Sequence, residues 1–174
     1  MRKINLYALS IVVFLSLSSG LHAQDEIVYQ HPSLGIQFTA SPNWNQVALA
    51  NDKMTYELVN QNNNMHMKVW FEKTEKPVRD YLRSEVCKDG MVEENAFVCR
   101  LDNQDAYGIC AICSEMRRPF KVMLIALPAE DGLYLLRFKC PEECYTEHQE
   151  QIQKLLNTVR LNPVVERTVF YASN

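Results

Sequence analysis

Apolar and polar residues alternate along much of this chain, a pattern typical of β-strands with one buried face. Leu34, Ile36 and Phe38 alternate with smaller or polar residues over residues 34–40, and the same period of two recurs over residues 65–72. We expect further strands at 26–31 and 96–101, because turn-forming residues border both segments. The N-terminal part therefore predicts antiparallel hairpins.

Residues 105–140 predict a meander of three antiparallel strands. The turn between the first two is expected at Arg117-Arg118-Pro119, and Asp131-Gly132 marks the turn into the third. In residues 120–127 the even positions are apolar, and Ile125 and Leu127 are apolar on the other face, which Lys121 and Met123 share. A strand of that kind is typical of the interior of a sheet that is covered on both faces.

A mid-chain helix is predicted by four apolar residues at helical spacing, namely Val78, Tyr81, Leu82 and Val86. Thr74 is a candidate cap, Pro77 suits the first turn, and Asp89-Gly90 is a typical helix end.

A C-terminal helix is predicted by a second apolar stripe, formed by Ile152, Leu155, Leu156 and Val159. Thr146 and Gln149 have the spacing of a capping box at its start. These elements together predict an α+β fold, in which an antiparallel sheet with an N-terminal hairpin region carries one mid-chain helix and one C-terminal helix packed on the sheet.

Residues 1–23 have the pattern of a secretory signal peptide, with Arg2 and Lys3 before an apolar stretch and cleavage expected after Ala23. Residues 24–174 then form one domain, with no membrane-spanning segment. Loss of two basic residues changes the formal net charge from −3 to −5. An acidic protein of this kind argues against nucleic acid or anionic membranes as partners.

The cysteines, six in number, all follow the predicted signal peptide. An even number of cysteines in an exported protein favours structural disulfides. Cys140 and Cys144 could close a small loop before the last helix, and Cys87 could meet Cys99. Cys110 and Cys113 would then pair across strands or with one of the others. The disulfide candidates are therefore Cys87, Cys99, Cys110, Cys113, Cys140 and Cys144.

Two other chemistries are open to these cysteines. Cys110 and Cys113 have the spacing of a thiol–disulfide redox pair, but a strand holds residues three apart at ~10 Å and on opposite faces. Cys110, Cys113, Cys140 and Cys144 could instead bind zinc as four thiolates. An oxidising compartment favours disulfides over both alternatives.

No hydrolase elbow, phosphate-binding loop or metalloprotease motif occurs in the sequence. His31, His66 and His148 are expected to be isolated surface residues. Trp70, Arg117 and Arg118 are candidate contacts with a partner, the two arginines because a hairpin tip could anchor an acidic surface.

The segment Leu34-Gly35-Ile36-Gln37-Phe38, followed by Pro42-Asn43-Trp44 and closed by Val159-Arg160-Leu161, resembles the PsbP/Mog1-like fold group. The resemblance implies a non-enzymatic interaction module without a cofactor, and it transfers no functional residue. The sequence therefore predicts an exported, non-catalytic binding or assembly module of the cell envelope, whose partner is another envelope protein.

Overall fold

A computed structural model describes residues 26–47, 55–60, 62 and 64–161 of the chain. The predicted signal peptide at 1–23 and the C-terminal segment 164–174 lie outside these residues. Two helices pack on strands that form two antiparallel sheets within the described part.

The larger sheet has seven strands in the order β3-β4-β5-β9-β8-β7-β6, and the smaller sheet has the order β1-β2-β10. The strands are β1 Ile27–His31, β2 Ile36–Ala40, β3 Trp44–Gln46, β4 Thr55–Asn60, β5 Met65–Glu72, β6 Val92–Leu101, β7 Gln104–Glu115, β8 Arg118–Ala129, β9 Gly132–Pro141 and β10 Arg160–Leu161. The helices are α1 Val78–Lys88 and α2 Tyr145–Thr158, with a short 3₁₀ turn at Glu142–Cys144. The predicted α+β fold is confirmed.

Strands β7, β8 and β9 form the predicted meander, with each strand antiparallel to the next. β8 lies inside the sheet, and its residues from Val122 to Leu127 are all buried. Burial at successive positions means that side chains on both faces of this strand are covered. The prediction of a doubly covered strand at 120–127 is therefore confirmed for residues 122–127, while Phe120 and Lys121 are partly exposed.

Each face of the large sheet has its own apolar core. On one face, Met67, Ile125 and Phe138 pack with α2 and the smaller sheet. On the other face, Leu124 and Leu135 pack beneath α1. The period of two along each strand separates these sets, and we name the faces the α2 face and the α1 face.

Helix α1 ends as predicted but does not begin as predicted. Gly90 has a positive φ in the left-handed region, and its N–H donates to the Cys87 carbonyl at 3.1 Å, which is a typical helix end. Pro77 occupies the N-cap without a side-chain bond, and Thr74 instead accepts a hydrogen bond from the Lys76 N–H at 3.2 Å. The prediction that Thr74 caps the helix was wrong, because Thr74 lies too far before the first turn.

Helix α2 buries the predicted stripe, since Ile152, Leu155 and Leu156 are all inaccessible. The predicted capping box of Thr146 and Gln149 was wrong. The 3₁₀ turn runs directly into the helix, so Cys144 becomes the N-cap, and no side-chain bond is made there.

Strand β6 is longer than the predicted segment 96–101 and includes a bulge between Glu93 and Asn95. Its first residues are exposed at the edge of the sheet, so no apolar alternation marks them in the sequence. Strand β10 was also not predicted; it consists of Arg160–Leu161, which pair with β2 directly after the helix.

Thr158 joins the end of α2 to the N-terminal hairpin. Its hydroxyl oxygen accepts from the Thr39 N–H at 2.9 Å and lies 3.1 Å from the Thr39 carbonyl oxygen and 2.7 Å from that of Leu155. One hydroxyl thus connects residues 119 positions apart in the chain. The smaller sheet is fastened to α2 at this point.

Replacing Thr158 with valine keeps the shape of the side chain but removes these hydrogen bonds. We expect Thr158→Val to lower the free energy of unfolding by about 1–3 kcal/mol, because the Thr39 N–H loses its acceptor. Chemical denaturation followed by circular dichroism measures the change. The matched control is Thr146→Val on the exposed side of the same helix, for which we expect less than about 0.5 kcal/mol. Equal effects of the two substitutions would contradict this role for Thr158.

Candidate binding cleft

An open cleft of about 230 Å³ lies on the α1 face, between α1 and the edge of the large sheet. Helix α1 reaches over β7 and β8, and its contacts with β6 are fewer. The space that remains beside the helix forms the cleft. Its lining residues are Arg79, Leu82, Arg83, Ala96, Phe97, Val98, Tyr107, Gly108 and Ile109.

The walls of the cleft are apolar and its rim is basic. Leu82 and Ile109 are buried, whereas Val98 on β6 is 57% exposed and opens toward solvent. Pockets of this composition, with an apolar floor and few charged groups, are typical of binding sites.

Two guanidinium groups lie at this rim, and only one of them pairs with a carboxylate. Arg79 lies over the ring of Tyr107, with its guanidinium carbon 5.4 Å from the ring centroid. The Nε atom of Arg83 lies 3.6 Å from a Glu93 carboxylate oxygen, and both side chains are partly exposed. Among the described residues no ion pair involves Arg79, so the cleft is locally positive in a chain whose net charge is negative.

The sequence prediction did not identify Arg79 or Arg83. Their spacing of i and i+4 places both on one side of α1 next to Leu82, a signal that could have been noticed. Nothing in the sequence, however, shows that β6 lies beside this part of the helix.

Trp70, a predicted partner contact, lies on β5 and packs against the cluster under α1. Burial raises the pKa of the neighbouring Tyr81 hydroxyl to about 12, and a hydrogen bond with Trp70 partly opposes that rise. The Lys68 ammonium lies 5.5 Å from the centroid of the Trp70 ring. Trp70 is therefore half-buried, and its contact with a partner stays a prediction.

Arg117 and Arg118 lie at the tip of the β7–β8 hairpin, and both are exposed. Met116 and Arg117 form the turn with positive φ angles, a conformation that glycine or asparagine usually adopts. The tip at Met116 lies eight positions beyond Gly108, a distance of ~26 Å along a strand. The structure therefore does not bring these arginines to the cleft, and their contact with a partner stays a prediction.

Cys110 and Cys113 lie on opposite faces of β7, as their spacing predicted. Cys110 is buried on the α2 face, where its Sγ lies 3.7 Å from the Tyr145 hydroxyl. Cys113 opens on the α1 face into a polar depression beside Lys139 and Arg137. A redox pair needs two sulfurs within bonding reach, so this arrangement does not support the redox alternative.

The six cysteines are thiols in this structure. Cys87 is exposed on α1, while Cys99 packs against the core of the α2 face. The structure does not bring the predicted pair of Cys87 and Cys99 together, because the large sheet lies between their side chains.

Cys140 and Cys144 flank the 3₁₀ turn before α2. Burial, with a smaller contribution from the nearby Cys144, raises the pKa of the Cys140 thiol to about 11. Burial also raises the pKa of Cys110, although Tyr145 and Lys121 partly oppose this rise. A disulfide between Cys140 and Cys144 stays a prediction.

The structure does not support the zinc alternative. In residues 26–47, 55–60, 62 and 64–161, no group of three or more His, Cys, Asp or Glu side chains is placed to hold a metal ion. The predicted thiolate set does not assemble because Cys113 faces away from Cys110 and Cys140 across the sheet.

The histidines do not form a site together. His66 is exposed and His31 lies beside the Tyr56 ring, but His148 is buried, so its predicted surface position was wrong. The reason is its place in α2, four residues before Ile152 on the stripe that faces the sheet.

The polar depression around Cys113 has a volume of about 290 Å³. Its charges are paired within the protein, since Arg137 lies 3.2 Å from Asp89 and Lys139 pairs with Glu115. The cleft beside α1 is the better candidate for binding, because its positive charge is only partly compensated.

No protein-family model matches this chain, and no curated protein matches it by sequence. Solved structures do match. The solution structure of cyanobacterial PsbP (CyanoP) from Synechocystis sp. PCC 6803 has a TM-score of 0.58 and 12% identity, and the match covers 84% of this chain and 98% of that one. The Ran-binding protein Mog1p of Saccharomyces cerevisiae matches at a TM-score of 0.57 and 8% identity, covering 80% and 97%.

LpqN of Mycobacterium tuberculosis, described as involved in cell envelope biogenesis, matches at a TM-score of 0.55 and 11% identity, covering 79% of this chain and 91% of that one. A structure from Bacteroides thetaiotaomicron also matches at a TM-score of 0.56 and 11% identity. The match covers 81% of this chain but only 50% of that protein, so this chain spans about half of its length. The fold is therefore PsbP/Mog1-like, as the sequence resemblance implied.

Neither helix in the described part of the chain is long and apolar enough to cross a membrane.

The positions of the thiols predict their order of reaction. In the reduced native protein at about pH 8, we expect iodoacetamide to modify Cys87 fastest and Cys140 slowest, because Cys87 is exposed and Cys140 is buried with a raised pKa. Since a raised pKa leaves less thiolate at any given pH, modification of Cys140 should increase only as the pH approaches its pKa of about 11. Mass spectrometry of tryptic peptides over time measures each rate.

Cys87→Ser is the control and should abolish the fast phase alone. Equal rates at Cys87 and Cys140 would contradict the burial of Cys140. The same measurement without reductant tests the predicted bridge, because a disulfide would protect Cys140 and Cys144 together.

Proposed function

We propose that this protein is an exported, non-catalytic binding or assembly module of the cell envelope, and that it holds a protein partner in the cleft beside α1. The observation that carries the proposal is the cleft itself, an apolar groove with the uncompensated charge of Arg79 at its rim. Residues 24–174 act as one domain in this proposal.

Binding explains the cleft better than catalysis does. General acid–base and nucleophilic chemistry need a titratable or nucleophilic side chain at the reacting atoms. Apart from Tyr107, whose ring lies under Arg79, the described residues that line the cleft include no histidine, carboxylate, cysteine, serine, threonine or lysine. Arginine and tyrosine are also the side chains that contribute most often to strong contacts at protein interfaces.

Proteins of similar fold support an interaction role. Mog1p is described as a Ran-binding protein and LpqN as involved in cell envelope biogenesis. The N-terminal pattern of residues 1–23 supports export. An envelope protein with a locally positive groove would recognise an acidic segment of its partner.

Charge reversal at the cleft tests this function. We expect Arg79→Glu together with Arg83→Glu to reduce recovery of partner proteins at least about tenfold, because the double substitution makes the rim repel an acidic segment. Tagged protein is expressed in the native host, crosslinked in intact cells, captured and quantified by mass spectrometry. The matched control is Arg117→Glu together with Arg118→Glu, which changes the same charge at the exposed hairpin tip.

The control pair should leave recovery unchanged. Loss of partners in the hairpin-tip variant alone would indicate that the partner binds at Arg117 and Arg118 and not in the cleft. Undiminished recovery in the cleft variant would exclude the cleft, and a measured substrate turnover would exclude a purely non-catalytic role.

Export is a separate prediction. We expect the protein outside the cytoplasm to begin at Gln24, because signal peptidase cleaves after a small residue such as Ala23. Intact mass measurement of the protein from fractionated cells tests this. Ala23→Arg is expected to block cleavage, and recovery of the uncut chain from the cytoplasm of unmodified cells would contradict export.

A further inference from the structure

We infer that β6 is a docking edge on which an extended acidic segment of a partner protein adds as a further strand, with its acidic side chains at Arg79 and Arg83. The inference rests on the proposed function, since it names the class of partner and the way in which it binds.

The first observation is the position of β6 at the end of the sheet order. No described strand pairs with its outer edge, and nothing in the described part of the chain covers that edge with backbone hydrogen bonds. Exposed edges of this kind can accept a strand from another chain, and many peptide-binding domains use them in this way.

The second observation is the direction of the backbone groups along β6. The turn that joins β6 to β7 consists of Asp102 and Asn103, both of which have positive φ angles, as in a type I′ hairpin turn. The residues flanking such a turn, here Leu101 and Gln104, exchange hydrogen bonds. Alternation along the strand then directs the N–H and C=O groups of Val98 away from β7, toward solvent.

The third observation is that the features which protect natural sheet edges lie near the two ends of β6. Proteins often place proline, lysine or a bulge on an edge strand to prevent pairing. β6 contains neither proline nor lysine; its bulge and its two glutamates, Glu93 and Glu94, lie near its start, and Arg100 lies near its end, where it pairs with Asp105. The register with β7 is regular from Asn95 to Leu101, so this part of the edge is available over its whole length.

The edge is also held firmly, as a docking edge must be. The Phe97 ring packs against the core of the α2 face and occupies the space that a side chain at Gly108 would need. Glycine at this position lets the aromatic ring lie directly over the neighbouring strand. β6 is therefore anchored on its inner face while its outer edge stays open.

Charge selects the occupant. An added strand directs every second side chain toward the α1 face, where the cleft contains Val98 and the two arginines. Arg79 contacts the Tyr107 ring and has no carboxylate partner among the described residues. Arg83 pairs with Glu93, and an acidic side chain of the incoming segment can replace Glu93 in that ion pair. A segment that alternates acidic with apolar residues can form backbone hydrogen bonds with β6 and place its acidic side chains beside Arg79 and Arg83.

Synthetic peptides test this inference directly. The probe is a short, fluorescein-labelled peptide with capped ends that alternates valine with glutamate, titrated against the exported protein and followed by fluorescence anisotropy. We expect it to bind at least about tenfold more tightly than the same peptide with lysine in place of glutamate. Equal binding of the two peptides would overturn the role of the arginines.

Backbone methylation distinguishes strand addition from other kinds of binding. Two further peptides carry N-methyl groups on alternate residues in opposite frames, so that only one frame blocks the N–H groups that face β6. We expect one frame to lose at least about tenfold in affinity and the other to bind nearly unchanged, because an added strand uses only every second N–H. Equal losses in both frames would overturn strand addition.

Variants of the protein locate the site. Arg83→Glu should weaken binding of the glutamate peptide about tenfold, and Lys154→Glu on the exposed side of α2 should not change it. Val98→Pro removes an outward N–H and should also abolish binding; its fold is checked by circular dichroism. If Val98→Pro does not fold, the two methylated frames still decide the question on the unmodified protein.

Two other results would overturn the inference in a defined way. A dimer in analytical ultracentrifugation that Val98→Pro dissociates would identify a second copy of this chain as the occupant. Absence of peptide binding together with loss of native partners in the cleft variant would leave the proposed function standing without strand addition. Peptide binding without recovery of any native partner would support strand addition and contradict the proposed function.

Discussion

The fold depends on the burial of β8 from both sides. From Val122 to Leu127 every side chain of this strand is buried, so the sheet can be stable only with a cover on each face. Helix α1 provides one cover, and α2 with the smaller sheet provides the other. Because α1 is centred on β7 and β8, its cover thins toward β6. The cleft is thus a geometric result of how a single helix covers a wide, twisted sheet.

The alternation of side chains that separates the two cores also decides what the cysteines can do. Three residues of extended chain place Cys110 in one core and Cys113 at the surface of the other face. Neither a redox pair nor a tetrahedral metal site can form from thiols that a sheet keeps apart. Cys110 and Cys140 instead lie in apolar surroundings near Tyr145, where burial favours their neutral form.

Much of the architecture could be predicted because it is set by local patterns. The meander, the stripe of α2 and the burial of β8 each follow from the spacing of apolar residues within one segment. The long-range features could not be predicted in this way. β10 has only two residues and forms because Arg160 and Leu161 meet β2, and the polar start of β6 is a strand because β7 pairs with it. The cleft arises from two elements whose mutual position no local pattern encodes, so Arg79 and Arg83 remained unrecognised in the sequence.

The bond between Thr39 and Thr158 also has a consequence for the order of folding. β2 lies between β1, its neighbour in sequence, and β10, near the end of the described chain. The N-terminal hairpin can form early, but its final partner becomes available only after strands β3 to β9 and both helices have been synthesised. Contacts of such large sequence separation close late and slowly. Until then the α2 face of the large sheet, including Met67 and Phe138, is open to solvent and to other chains. The chain therefore passes through an aggregation-prone stage in which a chaperone could act.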